Sequence, residues 1–150
     1  MLAHVDILGN RVPVVISEAF DERLVWIDDG MLFVCQNGAR SLEELVKSYK
    51  EREGKRYLMA RLRLLSVQTG LEARRISFRY QKGRWGSCSA QGNISLNLKL
   101  FDLKPELIDY VLLHELAHTK ELNHSRLFWD VVSTHCPKFR ILEKELNKRP

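Results

Sequence analysis

The strongest constraint in this sequence is the stretch that opens at Pro105. Proline suits the first turn of a helix, and behind it Leu107, Ile108, Val111, Leu112, Leu113 and Leu116 predict a helix to about Glu121 that is apolar on nearly every side. Such a helix has to be enclosed by other elements. Within it stand His114, Glu115 and His118, three groups able to carry charge where a core is expected. Polar groups there need a partner, and a metal ion is the simplest one. Residues four apart are rotated by only about 40° on a helix, so the two imidazoles share a face one turn apart and can reach one ion. Glu115 sits about 100° around from His114, beside such an ion, where its carboxylate can take a proton from a water that the ion polarises.

A catalytic zinc takes three protein groups and leaves one position open, and His124 is the candidate for the third. On an uninterrupted helix it would lie about 15 Å along the axis from His114, far beyond zinc bonds of about 2 Å. The helix must therefore end and the chain turn back. Asn123 is the expected means, since asparagine tolerates the left-handed conformation that terminates helices.

The rest of the chain reads as the enclosure. Residues 11–17, 24–27 and 31–36 are β-branched or aromatic runs, with Asp28-Asp29-Gly30 as a hairpin signal between the last two. Ser41 followed by Glu44 is a capping-box pattern, opening a helical stretch from Leu42 to about Thr69 that reads as one long helix or two, with Gly54 the place where it could break or kink and Gly70 the end. Residues 75–80 and 93–98 alternate with a period of two and predict half-buried strands, joined through glycines around Trp85. Helical pattern resumes from Ser125, expected as a cap, to about His135, and again from Phe139 to Asn147.

With 150 residues, one domain spanning the whole chain is expected, and 45% hydrophobic with 29% charged residues excludes disorder and collagen-like structure. No apolar run approaches the roughly 20 residues of a membrane span, and no secretory signal pattern opens the chain. Cys35, Cys88 and Cys136 are an odd, widely spaced set, expected as reduced thiols of a cytoplasmic protein. The net charge of +5 is uneven: residues 1–38 hold two basic and six acidic side chains, residues 40–63 eight and four, residues 71–90 five and one. The basic stretch 40–90 reads either as a solvated face or as a weak attraction for nucleic acid.

The ordered run Arg84-Trp85-Gly86-Ser87-Cys88, Asn93 to Leu98, Asp109-Tyr110-Val111, His114-Glu115-Leu116-Ala117-His118, Asn123-His124-Ser125 and Phe128-Trp129 resembles the YgjP-like family of metal-dependent hydrolases, related to SprT-like and WLM zinc metallopeptidases. The resemblance covers about residues 56–142, and residues 1–38 match only loosely. It implies an α+β, zincin-like minimal metallopeptidase fold: a small antiparallel sheet packed on a long helix and on the His114 helix, with an edge strand bordering the cleft. It also implies Zn2+ held by His114, His118 and His124, with Glu115 as general base. The metzincin label fits less well, since Glu121 stands where metzincins have glycine.

Beside these, Arg84 and Tyr110 are candidates for substrate contact or oxyanion stabilisation, with packing as the competing reading for each. Trp85, Phe128 and Trp129 are expected as packing around the site. The expected activity is a zinc-dependent hydrolase acting on a peptide or protein; the alternative is a nucleic-acid-associated module acting on or near DNA-bound proteins. An extended peptide is expected to add to the edge of strand 93–98, and residues 11–36, being strand-like, could occupy that edge and make the cleft latent.

Overall fold

The computed structural model describes residues 3–36 and 38–147. The chain opens with β1 (His4–Ile7), β2 (Asn10–Ser17), β3 (Val25–Asp28) and β4 (Met31–Cys35), forming one sheet in the order β1-β2-β4-β3. Strand β1 has too few residues to show an alternation and escapes sequence reading. The β3–β4 turn places Asp29 at φ 49° and Gly30 at φ 72°, the two left-handed residues that a tight hairpin turn of this hand requires. Val12, Val25, Leu32 and Val34 are buried and pack with Leu42, Leu45, Val46 and Phe101.

Helix α1 (Leu42–Thr69) starts at Ser41, whose hydroxyl accepts from the Glu44 N–H at 3.1 Å, and stops at left-handed Gly70. It runs unbroken through Gly54, one helix rather than two. A Cβ at that position would meet Phe101 Cβ at 3.3 Å, so glycine serves the close approach of the 3₁₀ turn Leu98–Asp102 rather than a bend. One continuous helix thus spans two clusters, its first turns under the N-terminal sheet and Leu58, Leu62 and Leu65 in the second core.

The second sheet consists of β5 (Arg75–Arg79), β6 (Gly86–Cys88) and β7 (Asn93–Asn97) in the order β5-β7-β6. It is mixed, where an antiparallel sheet was expected: β6 reverses the chain between β5 and β7, so β7 lies antiparallel to β6 and parallel to β5. The strand over 93–97 is accordingly central, and the edge beside α2 is β6, a second departure from expectation. None of β1 to β4 is hydrogen-bonded to β6, so residues 11–36 do not occupy that edge.

Helix α2 (Pro105–His118) is enclosed by α1, β6, α3 (Arg126–His135) and α4 (Phe139–Leu146). Ile108, Leu112 and Leu116 are fully buried and Leu107, Val111 and Leu113 nearly so; full burial of such a side chain stabilises by about 1.5–3 kcal/mol. Arg61 holds α1 to α2 by donating from Nε and Nη2 to the two oxygens of Asp109 at 2.9 and 2.6 Å. Among the described residues no helix is long and apolar enough to cross a membrane.

Candidate active site

Helix α2 ends at His118, three residues short of Glu121. The Thr119 hydroxyl donates to the Leu116 carbonyl, the Glu121 N–H donates to the Ala117 carbonyl at 2.9 Å, and the chain turns at once. Asn123 is not the left-handed terminator that was expected: among the described residues the non-glycine ones with positive φ are Leu8, Leu24 and Asp29. Ser125 then caps α3, its hydroxyl accepting from Phe128 N–H.

This turn carries His124 back onto α2. Its Nε2 lies 3.1 Å from Nε2 of His118 and 3.2 Å from Nε2 of His114. All three expected ligands are therefore brought together. The floor beneath them is Phe128, fully buried, with its ring centroid 4.4 Å from that of His118, 4.9 Å from His124 and 5.0 Å from His114. Trp129 stacks against both His124 and Phe139, so the two aromatics do pack around the site.

Three imidazole nitrogens that converge in this way suit a cation. Nδ1 of His118 lies 3.1 Å from the Glu121 carbonyl, which can only accept, so the proton sits on Nδ1 and Nε2 presents a lone pair inward. The hydroxyl of Tyr110, one turn before His114 and itself buried, lies 3.5 Å from Nδ1 of His114 and leaves that Nε2 facing the same point. Burial, reinforced by the neighbouring His118 and His124, depresses the His114 pKa to about 3; burial also lowers that of His118. Both rings thus stay neutral, as ligands must be. Tetrahedral zinc–nitrogen bonds of about 2.0–2.1 Å set ligand atoms about 3.3–3.4 Å apart, close to the two separations measured from His124, and all three ligand atoms lie within 4.8 Å of one another.

Glu115 is 6% exposed and faces β6. A Cβ on Gly86 would come within 3.1 Å of Glu115 Cγ and 3.3 Å of Oε2, so any side chain there would displace the carboxylate. Burial raises the Glu115 pKa to about 7, with Arg84 opposing the rise. Arg84 itself is exposed. Cys88, on β6, has its thiol pKa pushed up to about 11 by burial and by Glu115, which keeps it protonated and poorly nucleophilic.

Asn97 is the positioning residue that the sequence did not reveal. Alternation assigns it to the polar face of its strand, yet it is 1% exposed. Its amide donates to the carbonyls of Gln81 at 2.8 Å and Arg84 at 3.0 Å, while its oxygen accepts from Lys99 N–H. The loop leading into β6 is thereby pinned over α2. Its only sequence signal is an asparagine at the end of a strand that runs straight into Leu98 and Leu100.

A helix-borne histidine pair, a third histidine returned by a turn and a carboxylate under a short edge strand define a metallopeptidase with a zincin-like fold. The model of the YgjP-like family, described as "YgjP-like, metallopeptidase domain", matches residues 2–149, and the chain belongs to that family. The chain is similar to the crystal structure of the metallopeptidase zymogen of Pyrococcus abyssi abylysin, with 26% identity and a TM-score of 0.55 over 59% of this chain and 90% of that one. It is similar in fold to the metallopeptidase zymogen of Methanocaldococcus jannaschii jannalysin, with 20% identity and a TM-score of 0.53 over 61% of this chain and 94% of that one. No curated protein matches the chain.

Proposed function

We propose that this metal-dependent hydrolase is a zinc peptidase forming one domain, in which His114, His118 and His124 hold the ion and Glu115 is the general base. The observation that carries the reading is the convergence of three inward Nε2 atoms next to a buried carboxylate. When bound, zinc supplies Lewis acidity, polarising the scissile carbonyl and easing deprotonation of water. Glu115 accepts that proton and returns it to the leaving amine nitrogen, and a carboxyl with a pKa near 7 in the metal-free chain suits both transfers. The Glu121 carbonyl and the Tyr110 hydroxyl fix the rings of His118 and His114, so Tyr110 acts through His114. Arg84, exposed and near enough to Glu115 to influence it, orients a substrate carbonyl. The substrate lies extended along β6, adding a strand to its free edge. The setting is the cytoplasm, where the three unpaired thiols stay reduced.

Elemental analysis of zinc-reconstituted protein is expected to give one zinc per chain, and none after His118→Ala. Glu115→Gln should keep the zinc and lose at least about 100-fold in peptide cleavage. A reconstituted chain without tight zinc, or undiminished activity in Glu115→Gln, overturns the assignment.

A second reading rests on Arg74, Arg75, Arg79, Lys82 and Arg84, exposed cations just before edge strand β5, on it and in the loop after it, none of which makes an ion pair among the described residues. They offer an anionic partner such as nucleic acid a surface, for a peptidase acting near DNA-bound proteins. Binding to duplex DNA that weakens steeply with salt supports it, and no binding at physiological ionic strength removes it.

A further inference from the structure

Next to the histidine cluster a cavity of about 150 Å³ opens between Trp85 and Gly86 where the chain enters β6, Tyr110, His114 and Glu115 of α2, and Glu143 and Leu146 of α4. It therefore touches a metal-ligand candidate, the candidate base and the end of the substrate-bordering edge strand at once. No cation lines it among the described residues, whereas Glu143 does. That carboxylate makes no ion pair among the described residues, although Glu145, two residues on, pairs with Lys104 at 3.1 Å.

We infer that this cavity receives the substrate side chain next to the scissile bond and that Glu143 selects a basic one, lysine or arginine. The inference rests on the peptidase reading above. A volume of about 150 Å³ holds a group of about six non-hydrogen atoms, the size of an arginine side chain beyond Cβ. Trp85, Val111 and Leu146 suit its methylene stem, while the charged end meets the carboxylate of Glu143. An acidic side chain would meet the like charge of Glu143. Metal geometry alone would not distinguish these substrates; the fourth helix, which supplies no ligand, does.

The test uses the full-length, zinc-loaded chain and peptides that differ only at the residue flanking the cleaved bond. The expected kcat/KM is about 10- to 100-fold higher for arginine or lysine than for methionine there. Glu143→Gln should shrink that ratio to about threefold or less, and Glu143→Lys should turn the preference towards glutamate. A variant that is merely destabilised lowers all peptides alike and leaves the ratio intact. An unchanged ratio in Glu143→Gln, or no basic preference in the wild type, overturns the inference. A second measurement needs no turnover: n-butylguanidinium binding, followed by shifts of the Trp85 and Tyr110 resonances, should be at least about fivefold weaker in Glu143→Gln, while n-hexanol binding is unchanged. If no peptide is cleaved at all, the peptidase reading fails, and the guanidinium result still decides whether the cavity selects a cation.

Discussion

The two hydrophobic clusters of this chain share α1 and differ in what they enclose. Under the N-terminal sheet the buried set is wholly apolar, from Val5 and Ile7 through Leu32 and Val34 to Leu45 and Phe101. Around α2 a larger apolar set encloses Asn97 and Glu115, and the buried indole N–H of Trp85 and hydroxyl of Ser95 find no partner among the described residues. Burying a carboxylate opposes folding, which is why the Glu115 pKa rises to about 7. The first cluster is arranged for stability alone. The second gives up part of its stability to hold charge-capable groups in a fixed geometry, and the surplus of apolar burial around α2 is what makes this tolerable.

Removing the floor of the site should have the largest effect on this contrast. Phe128→Ala is expected to destabilise by about 3–5 kcal/mol and to weaken zinc binding, because Phe128 supports all three histidines. Leu32→Ala in the N-terminal cluster should cost about 2–5 kcal/mol with zinc affinity unchanged. Chemical denaturation together with chelator competition separates the two. Equal loss of zinc affinity in both variants would break the comparison.

A gain is expected next, from Glu115→Gln in metal-free protein. The folded pKa of Glu115 lies above its unfolded value, so the folded state holds the proton more tightly and this group's contribution falls as pH rises from about 4.5 to about 7. The glutamine variant should therefore exceed the wild type by up to about 3 kcal/mol at pH 8 and by nothing below about pH 4.5. His114 acts in the opposite sense. Its folded pKa is depressed to about 3, so its contribution is lost as pH falls from about 6.5 towards 3, and the variant's stability should rise with pH up to about 6.5 and then level. Denaturation midpoints across pH in the presence of chelator check both signs.

Asn97→Ala comes third, at about 1–3 kcal/mol, since it leaves the carbonyls of Gln81 and Arg84 without their donor. Unlike a change in the N-terminal cluster of similar cost, it should also reduce cleavage, as the loop into β6 loosens. The smallest effect belongs to Ser41→Ala, about 1 kcal/mol from the lost cap of α1, with no change in metal binding.

Where local chemistry decides, the sequence was readable. Ser41, Gly70, Pro105 and Ser125 marked helix ends that the fold keeps, and Asp29-Gly30 marked the hairpin turn. Gly54 left one helix or two open because its glycine answers to Phe101, a residue far along the chain. Strand order misled for the same reason: alternation over 93–98 shows a face but carries no information about whether the neighbours on either side are strands or solvent.

The same division holds at the site. That His114 and His118 share a helix face, with Glu115 beside them, follows from 3.6 residues per turn and from the residues themselves. Their neutrality, the raised pKa of Glu115 and the return of His124 needed the enclosure: burial shifts the pKa values, and the turn after His118 is built from bonds to Leu116, Ala117 and Glu121. Tertiary structure alone brought β6 and the Glu143 helix end against α2, because pairings between distant segments leave no periodicity in the chain. Helical geometry is a local property and can be read residue by residue; the groups that surround a buried site are chosen by packing, which exists only once the chain is folded.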